Sequence, residues 1–266
     1  MKKLFIIILI IAVGLQSYGQ LSSKDRIPVT TRSKSALTYF NEAMSYFEDV
    51  ALDKGRDLLN EALEEDNDFF MANYQMSLYY SWTGDLKKFI EYAGAAVNCQ
   101  ADLSEAEELL RSAIAKLRQD MEADVTEYGR KLVEMYPRDV NSYNNLIYFQ
   151  SFKNDLEGEL ETLNKALKIA ENPAPFYNQL GYVYMGLKQN DKAETAFNMY
   201  IESDPGNPNV YDSKGDYYMN IKDYRKAYES YMKAFSVDTS WSIEKARRAK
   251  QLYEKTEGEK IEIIPM

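Results

Sequence analysis

A pattern that returns after 34 residues governs what this chain can fold into. Tyr177, Leu180, Gly181 and Tyr184 are followed by Ala193 and Phe197, and then by Pro205. One period later stand Tyr211, Gly215, Tyr218, Ala227 and Tyr231. Lys214 now takes the place of the Leu, and Thr239 that of the Pro. Self-similarity at such a period marks stacked units, each too small to bury an apolar face alone.

The residue types suit a pair of antiparallel helices joined by a short turn. A small residue on the first helix (Gly181, Gly215) and another on the second (Ala193, Ala227) let two backbones approach closely. Large side chains such as Tyr184 and Phe197 fill the space beside that contact. Pro205 ends the second helix, because proline cannot continue one.

The same interval sets the rest of the chain. Units are expected at 36–69, 70–103, 104–139, 140–173, 174–207 and 208–241. The first carries Tyr39, Ala43, Tyr46, Gly55, Leu59 and Ala62, and the second has Ser77, Tyr80, the turn Thr83-Gly84-Asp85, Ala93 and Ala96. The third is two residues longer and keeps only Leu109, Ile114, Leu132 and Pro137. The fourth has Ile147 and Glu159 where small residues are usual. A polar capping helix over about 242–256, with Lys245, Arg247, Arg248 and Lys250, is expected to close the open end. That makes thirteen helices, followed by a tail at 257–266.

These motifs resemble the tetratricopeptide-repeat family. The likeness covers about three-quarters of the chain and is best in 36–103 and 174–241. It implies an all-α fold, a right-handed superhelical solenoid of antiparallel helix pairs. It also implies a scaffold for protein contacts, using a concave groove lined by the first helix of each pair. Carried onto this sequence, the groove-facing positions with binding character are Tyr74, Trp82, Asn144, Tyr148, Phe152, Asn178, Tyr182, Met185, Asp212 and Asp216. Asp212 and Asp216, four apart on one helix face, would repel a carboxylate and attract Lys or Arg. The expected ligand is therefore an apolar, neutral-to-basic protein or peptide segment. The competing reading has these residues covered by the lead-in or by a tightly curved inner surface.

Composition narrows the function. The net charge of −10 argues against nucleic acid, whose phosphates need clustered Lys and Arg. The chain has no His, and hence neither the usual general base nor the commonest metal ligand. No cofactor or metal is expected. The single Cys, Cys99, cannot form an internal disulfide and reads as a small buried residue. Ser230-Tyr231-Met232-Lys233 matches a Ser-x-x-Lys nucleophile pattern, but the companion motifs are missing and it falls inside a repeat helix. Asp204, Asn207, Asp212 and Asp216 lack the spacing of a calcium loop; Asp204-Pro205-Gly206-Asn207 reads as a turn. No enzyme is expected.

The N-terminus reads as an address. Lys2 and Lys3 precede an apolar run from Leu4 to Leu15, and Ser17 and Gly19 stand before a cut at Gln20. The run is short of the roughly 20 residues that span a bilayer. Residues 1–19 are thus expected to be a cleaved signal peptide, with no integral membrane segment after cleavage. No lipoprotein Cys follows, so export to the periplasm is expected, with 20–35 as a flexible lead-in. Two roles stay open: a non-catalytic binding scaffold of the cell envelope, or a structural subunit of an envelope complex or homo-oligomer.

Overall fold

A computed structural model of the chain describes residues 23–48 and 51–258. The expected signal peptide, and the tail from residue 259 on, lie outside them. Among the described residues there are thirteen α-helices and no strand. In chain order they are α1 Lys34–Glu48, α2 Leu52–Glu65, α3 Phe70–Thr83, α4 Leu86–Val97, α5 Glu105–Gln119, α6 Thr126–Met135 and α7 Val140–Phe152. Then come α8 Leu156–Ala166, α9 Ala174–Gly186, α10 Asn190–Ser203, α11 Pro208–Asn220, α12 Tyr224–Val237 and α13 Ile243–Glu257.

The hairpins inside the second, fourth, fifth and sixth units share one turn. Each has a left-handed residue at the same place: Gly84, Asn154, Lys188 and Lys222. Only glycine adopts that conformation freely, so the Asn and the two Lys are held there by the helices they join. Asp85, Asp155 and Asp223 follow directly and cap the next helix, each accepting a backbone N–H three residues on.

Close contact within a pair depends on the small residues. A Cβ on Gly181 would lie 2.4 Å from the Phe197 ring, and one on Gly215 would lie 2.4 Å from the Tyr231 ring. Ala193 and Ala227 are fully buried opposite. At the start of the chain Gly55 plays this part against Phe47, at 2.7 Å. Cys99 is buried, its thiol donating to the Asp68 carbonyl at 3.0 Å.

The third unit departs from the pattern. The link between α5 and α6, residues 120–125, has no left-handed residue, and the two helices meet only loosely. Instead α6 is pressed onto α7: a Cβ on Gly129 would stand 2.7 Å from the Leu146 Cα. The tight pairing has shifted from inside the unit to the boundary with the next.

The fourth unit carries a different cost of degeneracy. Glu159 is buried on α8, and burial together with the Asp155 charge pushes its carboxyl up to about 7. An acid with a raised folded-state value is at no disadvantage while protonated. Its ionisation lowers stability as pH rises from about 4.5 through about 7, and the penalty is complete above that. Glu159→Gln is therefore expected to stabilise the fold by about 1–3 kcal/mol near pH 8 and hardly at all near pH 4. Urea titrations at the two pH values measure this; equal gains at both would mean that Glu159 ionises freely.

Within the lead-in expected to be flexible over 20–35, the described residues are tied to the helices. From Asp25 to Ser33 they run as an ordered strap across the starts of three helices. The Ile27 N–H donates to Asp139 at 2.8 Å, beside α7, and Ile27 itself is buried. The Thr30 N–H and hydroxyl donate to the Glu107 carboxylate, on α5, at 2.7 and 2.6 Å. The Thr31 hydroxyl donates to Asp66, ahead of α3, at 2.6 Å. An extended segment leaves its backbone donors free, and these carboxylates satisfy them.

Candidate functional site

The inner face is built by α3, α7, α9 and α11, and it is not one continuous groove. The Tyr74 hydroxyl donates to Asn145 Oδ1 at 2.6 Å, and the Ser81 and Tyr148 hydroxyls share a hydrogen bond of 2.6 Å. Both contacts tie α3 to α7, helices two units apart. Tyr74 is consequently fully buried. Its expected partner-binding role is corrected: it is a core residue whose hydroxyl is satisfied internally. Tyr148 is half-buried with its hydroxyl engaged, and its ring meets Phe152 edge-on at 4.9 Å.

The far end is closed as well. Asp212 is 7% exposed and accepts from the Ser242 hydroxyl and, at 2.6 Å, from the Lys245 ammonium. Asp216 accepts from Lys245 at 3.0 Å, from the Tyr231 hydroxyl at 2.7 Å and from the Tyr182 hydroxyl at 2.9 Å. Lys245 also stands 5.6 Å from the Tyr231 ring centre. Burial alone would lower its pKa, but the two carboxylates outweigh that and hold it above its ordinary value. The expectation that Asp212 and Asp216 select a basic ligand is corrected in turn: Lys245 of α13 bridges both carboxylates and offsets one of their two charges, and Asp212 is buried beneath that helix. Ser242, which opens α13, sits in the left-handed region at φ 63°, and its hydroxyl on Asp212 helps to hold it there.

Between these ends the remaining candidates stay accessible. Asn144 is exposed on α7, and Phe152 is half-buried at the end of the same helix. On α9, Tyr182 is 40% exposed, its ring edge-on to Phe197 at 5.3 Å. Met185 is half-buried against the cluster of Phe197 and Tyr217. Asn178, one turn before Tyr182, keeps a buried Oδ1 with no hydrogen-bond partner. Trp82 is 69% exposed, at the end of α3.

Ser230 and Lys233 both fall within α12, and the Lys233 ammonium lies over the Tyr211 ring at 5.5 Å. Asn207 caps α11 and bonds Asp204, as a turn residue should. No cluster of acidic, Cys or His residues suited to a metal occurs among the described residues. None of the described helices is long and apolar enough to cross a membrane.

Two residues shape the site in ways the sequence did not signal. Lys245, expected only as one cation of the capping helix, bonds Asp212, 33 residues before it. Glu107 forms a capping box with Ser104, and Ser-x-x-Glu is readable in the sequence. Its second task, holding the strap, has no local signature.

A tetratricopeptide-repeat family model matches residues 174–207 and 208–240. Among solved structures, a thermophilic tetratricopeptide-repeat protein of Thermus thermophilus is 18% identical, with a TM-score of 0.48 over 82% of this chain and 98% of that one. PilW, a widely conserved type IV pilus biogenesis factor, is 16% identical, with a TM-score of 0.49 over 81% of this chain and 98% of its own. YrrB, a tetratricopeptide-repeat protein with an unusual peptide-binding site, is 18% identical, with a TM-score of 0.45 over 73% of this chain and 97% of its own. No curated protein matches the sequence.

Proposed function

Since residues 174–207 and 208–240 match a tetratricopeptide-repeat family model, we propose that the chain is a non-catalytic scaffold that holds a protein or peptide segment against α7 and α9. The observation that carries this reading is the pair of exposed side chains Asn144 on α7 and Tyr182 on α9, the latter 40% exposed. On the same two helices the half-buried Phe152 and Met185 offer further apolar contact. Aromatic surface mixed with amide side chains is the usual make-up of a recognition patch. The segment is therefore apolar in its anchors. A neutral or basic character is favoured by the chain's net charge of −10 and not by the Asp pair. The basic n-region and apolar run of residues 2–15 support export, and so a place in the cell envelope.

Photo-crosslinking tests the site. A benzophenone amino acid at position 144 or 182 should capture a partner in the native organism, whereas one at the exposed outer position Glu202 should not. Once the partner is purified, Tyr182→Ala should weaken its binding by about 1–2 kcal/mol, roughly 5–30-fold. Adducts formed only from position 202 would move the binding surface to the outer face.

A further inference from the structure

The loosened third unit leaves an apolar surface uncovered on the other side of the break. In the fourth unit, Leu156 and Leu160 open α8 and are packed into the core; Leu156 comes so near Gly186 of α9 that a Cβ there would sit 2.8 Å from it. Their counterparts on α4 are Leu86 and Ile90. They are less covered: α5 reaches Ile90 through Arg118, after which Asp120 turns the chain into extended conformation and α6 packs onto α7. Leu86 is 53% exposed and Ile90 41%. Trp82, just across the Gly84 turn, is 69% exposed, and its ring pairs with no other among the described residues. Single exposed apolar residues are ordinary, but an uncovered Trp, Leu and Ile around one turn are not.

Two cations border this surface. Lys87 lies three residues before Ile90 on the same side of α4. The Arg118 Nε donates to the Ile90 carbonyl at 3.2 Å, and its guanidinium lies over Gly94. Neither cation has a carboxylate partner among the described residues, in a chain of net charge −10. Of the nearby acids, Asp85 is occupied in capping α4. Glu91 is the only acid within α4 itself, and Asp120 follows Arg118 by two residues at the end of α5.

We propose that Trp82, Leu86 and Ile90, bordered by Lys87 and Arg118, form a second docking surface, separate from the α7–α9 site, that takes an acidic amphipathic helix of a partner protein. The apolar face of that helix covers the Trp and the two aliphatic side chains, and its carboxylates meet the two cations. Apolar anchors supply the affinity, and the charges select the partner and steer its approach.

The test uses the full chain carrying Trp241→Phe, so that Trp82 is the only tryptophan. The probe is a synthetic amphipathic helix with Leu on one face and Glu on the other, compared with the same peptide carrying Lys for Glu. The Glu peptide should shift Trp82 emission to shorter wavelength, saturably, and protect it from acrylamide. Its affinity should fall with added salt. The Lys peptide should bind about tenfold more weakly or worse. Leu86→Ser with Ile90→Ser, or Arg118→Gln alone, should each weaken the Glu peptide by a similar factor, with the far-ultraviolet circular dichroism unchanged. No saturable shift, or equal response to both peptides, overturns the proposal. A blue shift that grows with protein concentration alone also overturns it, by assigning the surface to a second copy of the chain.

Discussion

Glu107→Ala is expected to release the N-terminal strap and to cost on the order of 3–5 kcal/mol, because hydrogen bonds to a buried charge contribute about 1.5–3 kcal/mol each and the donors left behind stay dry. The carboxylate is fully buried and accepts from the Thr30 N–H and hydroxyl and from the Ser104 N–H and hydroxyl. It therefore caps α5 and clamps the strap at once. Because α5 and α6 hold each other weakly, the strap adds a second link between α7, α5 and the start of α3 across the loose unit, beside the Tyr74–Asn145 and Ser81–Tyr148 hydrogen bonds. Two measurements are decisive. The urea midpoint should fall, with a first transition confined to the middle of the chain, since stacked repeats lose cooperativity at their weakest joint. Trypsin should cut after Arg26 and Arg32 early in the variant and late in the wild type. A variant with wild-type midpoint and protected arginines would mean that the strap adds no stability.

Gly181→Leu is expected to be the most damaging single change in the last two full repeats. The first added carbon would meet the Phe197 ring at 2.4 Å, and the ring is already fixed between Tyr182 and Tyr217. Overpacking of a rigid contact costs about 1–3 kcal/mol or more, because neighbours move only by straining others. Thermal unfolding followed at 222 nm should show the loss. Adding Phe197→Ala should recover part of it, since the second change removes the group that clashes; residues in contact couple in this way and distant ones do not. A single variant melting like the wild type would mean that the two helices are not pressed together at Gly181.

The repeat itself was legible in the sequence. The close approach at Gly181 and Gly215, the buried Ala193 and Ala227, and the count of thirteen helices were expected from the repeat; that the rings of Phe197 and Tyr231 are what press on the two glycines came from the structure. These contacts join residues within one unit, and the helix period determines which of them face each other. The weakness of the third unit was legible for the same reason, because its small-residue signature is missing. The capping Asp residues and Ser104-Glu107 are local too. What the sequence could not decide were contacts between residues that no period relates. Ile27 reaches Asp139, 112 residues away, and Tyr74 reaches Asn145, 71 residues away. Those meetings depend on how the small rotations between successive units add up, and on α6 leaving α5 for α7. Lys245 finds Asp212 and Asp216 for a similar reason: the last helix lies where the next repeat would begin, and the acids that faced a predicted groove face that helix instead. The periodicity thus determined which residues are inside each unit. Only the summed curvature of the stack decided which inner-face side chains remain free for a partner.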